Sequence, residues 1–135
     1  MGFLYGKPSA GKSFLALDMA LSIAAGFPTW HGDKIDSERR RVVYIAAEGK
    51  RGMRNRIAAW RSRQGLDAAG AALLEANFAL IAETINFMKA EDVGLLLRKV
   101  REAGERPSLL VVDTVSRMLP GADENLQKDM TVFVS

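Results

Sequence analysis

The run Gly6-Lys7-Pro8-Ser9-Ala10-Gly11-Lys12-Ser13 sets two glycines either side of four residues and follows the second directly with a lysine and a hydroxyl. Glycines let such a loop curl until successive backbone N–H groups face one anion, and a helix starting near Lys12 adds the positive end of its dipole. The anion that matches is a polyphosphate. Lys12 can reach its β and γ groups as a point charge, and the Ser13 hydroxyl suits the all-oxygen shell of a magnesium ion. This is the P-loop pattern, which requires a strand before it and a helix after it. It predicts ATP and Mg2+ as ligands and a nucleotide-contacting set of Gly6, Lys7, Pro8, Ser9, Ala10, Gly11, Lys12, Ser13 and Phe14.

Two carboxylates complete the chemistry. Asp113 follows four consecutive apolar residues, as a residue at the carboxyl end of a buried strand does, and ligands of open α/β sheets bind at that edge. This is the Walker B arrangement, in which Asp113 holds the magnesium opposite Ser13, usually through water. Glu48 ends another apolar run in the same way and is the candidate general base for a water attacking the γ phosphate. Each carboxylate also has a plainer reading, a helix-capping Asp and a solvated strand-end Glu. Arg117, four residues beyond Asp113, is a further candidate for phosphate contact in this subunit or a neighbour.

The elements that must position these residues are legible from apolar periodicity. Residues 2–5 read as a strand and 12–25 as a helix apolar on most sides, closed by Gly26 and Pro28. After a polar loop, residues 42–46 form an unalternating β-branched strand of the kind covered on both faces. Residues 51–64 predict an amphipathic helix, with Trp60 on its apolar stripe and so better suited to packing than to base stacking. Residues 65–77 read as a loop with one helical turn, 78–81 as a strand and 91–103 as a helix with Val93, Leu96, Leu97 and Val100 on one stripe. Residues 109–112 are the strand that ends in Asp113, and residues 123–135 are expected to begin another helix that the chain leaves unfinished. Alternating strands and helices imply a mainly parallel α/β sheet with helices on both faces.

With 135 residues, nearly half of them apolar, one domain spanning 1–135 can bury a core. The chain has no cysteine, which excludes disulfides and thiolate metal sites and fits a reducing cytoplasm. Neither a bilayer-length apolar run nor a signal peptide is seen. The net charge is +3, yet residues 34–63 hold ten Lys and Arg against three Asp and Glu. That segment has two readings, a contact for a nucleic-acid backbone or a solvated helix face. His31, the single histidine, has no ligand-type partner nearby in sequence and is assigned no role.

The segments GKPSAGKSFLALDMALSIAAG, VVYIAAEGKRGMRNRIAAW and SLLVVDT followed by GADENLQKDM together resemble the RecA-like AAA ATPase family, which includes RepA-type hexameric plasmid helicases. The likeness covers nearly the whole chain, and the Ala-Ala-Glu-Gly strand end with its arginine-rich helix is its more specific part. It implies a three-layer P-loop NTPase fold, with Lys12 and Ser13 as the Walker A pair, Glu48 as the catalytic glutamate and Asp113 as the Walker B aspartate. Partners implied are ATP, single-stranded DNA and five further copies in a homo-hexamer, and no membrane. It also implies that a phosphate-sensing residue, an arginine finger and the DNA-gripping loops lie beyond Ser135, so the domain is expected to be truncated on its C-terminal side and inactive by itself. Two other functions fit a P-loop: a small-molecule kinase, against which stands the lack of an arginine-rich lid, and a nucleotide-dependent switch that does not hydrolyse.

Overall fold

In the computed structural model, residues 2–5, 11–36, 38–120 and 130–134 are described. In chain order the elements are β1 (Gly2–Tyr5), α1 (Lys12–Ala24), β2 (Thr29–Trp30), β3 (Asp33–Lys34), β4 (Val42–Ala46), α2 (Lys50–Gln64), α3 (Ala68–Asn77), β5 (Phe78–Ala82), α4 (Ala90–Glu102), β6 (Leu109–Asp113), α5 (Val115–Met118) and β7 (Met130–Val134). Gly6, Lys7, Pro8, Ser9 and Ala10, and the part of the expected last helix at 123–129, lie outside the described residues.

β4 is buried at every position, as its unbroken apolar run requires. It pairs in parallel with β5 on one side and β6 on the other. The full sheet has the order β1-β7-β6-β4-β5. β7 runs antiparallel to both β1 and β6, so β1 shares the direction of the parallel block. The sheet is therefore mixed, with β7 as the one reversed strand among those described.

Both faces of the sheet are covered. Val42, Tyr44 and Ala46 of β4 pack with Leu109 and Val111 of β6 against Ala16, Leu17, Ala20 and Leu21 of α1, with Met53 of α2 and Leu74 of α3 joining the same cluster. Val43, Ile45 and Val112 point the other way, onto Leu96 of α4 and Met118 of α5. Each large side chain removed from water here contributes about 1.5–3 kcal/mol before entropy is counted. Strand alternation thus decides which residues share the α1 face, and Asp113 follows Leu109 and Val111 onto it.

Four expectations are corrected. Residues 65–77 are no loop: Gly65 ends α2 in the left-handed region at φ 59, and Asp67 caps a ten-residue α3 by accepting from Gly70 N at 2.7 Å. Residues 130–134 form a strand, in keeping with the β preference of Val132, Phe133 and Val134. The polar loop before β4 contains the short β2–β3 hairpin. Leu97 leaves the buried stripe and is 49% exposed, because α4 meets the sheet mainly through Leu96.

Asp18 joins three of these elements. Its two oxygens accept the indole N–H of Trp30 and of Trp60, each at 2.8 Å, and Phe27 stacks on Trp60 at 5.7 Å between centroids. Trp60 is accordingly a packing residue, and His31 stands 3.7 Å from the same carboxylate. Asp18→Ala would strand two partly buried donors. We expect it to lower stability by roughly 2–4 kcal/mol, read as a lower urea midpoint at unchanged slope, since bonds to a charged acceptor contribute about 1.5–3 kcal/mol each. An unmoved midpoint would show that the carboxylate clamps nothing.

Candidate functional site

α1 begins immediately after Gly11, whose φ of 83° is reached at little cost only without a Cβ. Gly11, at the N-cap position, has no side chain with which to cap that end, and the positive end of the helix dipole lies there. Lys12, the first helical residue, is 9% exposed, and Ser13 is half-buried.

The carboxyl ends of β4 and β6 stand level, since Ala46 is in register with Asp113 and Ala47 N donates to Asp113 O at 2.7 Å. α1 lies across this face. The result is a contact between residues 100 apart in sequence: Ser13 Oγ donates to Asp113 Oδ1 at 3.0 Å. The other oxygen, Oδ2, accepts from Tyr44 OH at 2.7 Å. Asp113 is 7% exposed and Tyr44 fully buried. Burial first, then the adjacent Asp113 charge and hydrogen bond, push the Tyr44 hydroxyl far above its usual range, so it stays a donor. The peptide between Asp113 and Thr114 is cis.

Glu48 lies two residues past Ala46 on the same rim, and its carboxylate turns back over the first turn of α2. Arg56 Nη1 is 3.0 Å from Glu48 Oε2. A Cβ on Gly52 would come within 2.8 Å of Glu48 Oε1, so the absent side chain leaves room for the carboxylate at the favourable, positive end of that helix. The same guanidinium lies 5.2 Å from the centre of the Phe14 ring. Phe14 is 64% exposed and meets a cation on its face.

Arg117 donates from Nη1 to Ala47 O at 3.2 Å, which ties α5 to the end of β4. Two further arginines of the basic segment also have structural work. Arg40 donates to Ile23 O and Phe27 O, at the carbonyl end of α1, and Arg41 donates to Ala103 O, at that of α4.

The described residues of the predicted set therefore gather as follows. Ser13 and Asp113 touch, Gly11 and Lys12 adjoin Ser13, Phe14 and Glu48 share Arg56 as a neighbour, and Gly6, Lys7, Pro8, Ser9 and Ala10 are outside the described residues. Pattern reading missed Tyr44 and Arg56. A tyrosine inside an otherwise aliphatic buried strand was the available signal, because its hydroxyl must find a partner there.

The Ser13 and Asp113 oxygens fit a magnesium ion. Ser13 Oγ and Asp113 Oδ1 stand 3.0 Å apart, close enough for the two to serve one ion, directly or through water. Both donors are hard oxygens, and both sit at the mouth of a helix N-terminus where phosphate oxygens can supply further ligands.

The family model described as AAA domain matches residues 1–135. Comparison with curated proteins and comparison with solved structures each give no match. Among the described residues, no helix is long and apolar enough to cross a membrane.

Proposed function

The chain belongs to the AAA domain family, whose members are nucleotide-binding P-loop ATPases, and on that premise we propose that it is the ATP-binding and ATP-hydrolysing motor domain of a RepA-like DNA helicase or related DNA replication protein. The observation that supports its nucleotide-binding part is the Ser13–Asp113 contact at 3.0 Å, which brings a P-loop hydroxyl to a strand-end carboxylate; the helicase part rests on the sequence resemblance. In this reading the fold is RecA-like, the protein is cytoplasmic, the working form is a homo-hexamer and the track is single-stranded DNA.

The residues divide the work. Gly6, Lys7, Pro8, Ser9, Ala10 and Gly11 wrap the phosphates with backbone N–H groups, and Lys12 balances charge on the β and γ groups. Ser13 and Asp113 hold the divalent ion, which when bound neutralises charge on the same phosphates. Glu48 accepts a proton from the attacking water as its oxygen bonds to the γ phosphorus, while the bond from that phosphorus to the β–γ bridging oxygen breaks and ADP leaves. In the structure the Glu48 carboxylate is paired with Arg56, whose Nη1 is 3.0 Å from Glu48 Oε2.

The test is phosphate release by the protein, with and without Mg2+ and with and without single-stranded DNA. We expect release that needs Mg2+ and rises several-fold with DNA. Phosphate passed to a small acceptor instead would make the protein a kinase. Mg2+-dependent ATP binding with no release, even in the oligomer, would make it a switch.

A further inference from the structure

Tyr44 belongs to none of the phosphate-binding motifs, yet it reaches the site from the middle of the most buried strand. Its ring lies in the cluster beneath α1 and packs 6.3 Å from the Phe78 ring between centroids. A hydroxyl buried in that setting is costly unless it is bonded, and the bond it makes is to Asp113 Oδ2 at 2.7 Å. Ser13 Oγ meets the other oxygen, Oδ1, at 3.0 Å.

We propose that Tyr44 is a positioning residue for the divalent ion: it pins one carboxylate oxygen of Asp113 so that the other faces Ser13, where the ion is held. This rests on the reading of Ser13 and Asp113 as the magnesium pair. The terminal torsion of an Asp side chain is broad and roughly two-fold, so the carboxylate plane is soft unless something outside it is bonded. Magnesium accepts little departure from octahedral geometry. Tyr44 supplies the restraint from a fully buried strand. Groups that orient a metal ligand in this way typically set affinity by 10–100-fold.

Tyr44→Phe keeps the ring, its contact with Phe78 and the packed volume, and removes only the hydroxyl. Binding of a fluorescent ATP analogue to the chain is titrated with Mg2+ and, separately, measured in EDTA, for the parent, Tyr44→Phe and Asp113→Asn. The expected result for Tyr44→Phe is a Mg2+ midpoint raised about tenfold with metal-free binding within twofold of the parent. A purely structural role would weaken binding equally with and without the metal, and that outcome, or an unmoved Mg2+ midpoint alongside a raised one for Asp113→Asn, would overturn the proposal and leave the magnesium pair standing. If Asp113→Asn also leaves the midpoint unmoved, the pair itself is misassigned and the proposal falls with it.

Discussion

Glu48→Gln is expected to leave ATP binding within about twofold of the parent and to cut phosphate release by roughly 10²–10⁴-fold, the range a positioned general base contributes. Gln has the shape of Glu and can still accept from Arg56, so the amide keeps its place over the first turn of α2. What it loses is the capacity to take a proton from water. Binding and turnover are measured on the same protein; turnover that survives the substitution removes Glu48 from the mechanism. A companion substitution separates misplacement from misfolding. Gly52→Ala should stabilise α2 by about 0.5–1 kcal/mol, because glycine is costly inside a helix. Yet its new Cβ would meet Glu48 Oε1 at 2.8 Å and push the carboxylate away. A higher melting point together with altered turnover is the signature expected.

Lys12→Ala is expected to weaken ATP binding by roughly 10–100-fold, the equivalent of one charge-assisted hydrogen bond of about 1.5–3 kcal/mol. Lys12 opens α1, and alanine is the best helix former, so the element survives while the ammonium is lost. Its low exposure, 9%, makes the effect larger than at a solvated site, since buried charges are screened less. Titration with the same fluorescent analogue at low and high salt reads it. Equal affinity in parent and variant would mean that the loop before α1 does not grip phosphate through this residue.

The two carboxylates differ in how they are held, and that difference has a mechanical sense. Asp113 is bonded from two sides by Ser13 and Tyr44 within the core. Glu48 is half-buried and tied to an arginine that also faces Phe14, directly after the P-loop. A metal-binding carboxylate gains from rigidity, because geometry sets the affinity of magnesium. A base must move onto its water and back, so a surface ion pair, which contributes only about 0–1 kcal/mol, is a suitable restraint. Arg56, on the basic helix α2, thus joins the Glu48 carboxylate to Phe14 in the first turn of α1.

Where sequence reading went wrong, the cause was local chemistry passed over or a contact that has no local trace. Asp67 before an alanine run is a helix start and Gly65 a helix stop, and these local signals outweigh the loop with one helical turn that composition suggests for the stretch between α2 and β5. At the far end, Thr131, Val132, Phe133 and Val134 favour a strand over the continued helix, and β7 reverses direction between β1 and β6. Leu97 satisfied helical spacing, but spacing says which residues share a face and not how far the sheet reaches beneath it.

The alternation of β1, α1, β4, α2, β5, α4 and β6, the full burial of β4, the start of α1 after Gly11 and the placement of Asp113 and Glu48 at or just past strand ends were determined by the sequence alone. Each follows from backbone conformation and from apolar spacing over a handful of neighbours. Only the tertiary structure decided that Ser13 meets Asp113 across 100 residues, that Tyr44 bonds the same carboxylate, that Arg56 engages Glu48 and that Arg40 and Arg41 serve helix ends. Those contacts depend on which strands are neighbours and on which face α1 crosses. Such relations are set by the packing of the whole sheet, and no window of sequence contains them.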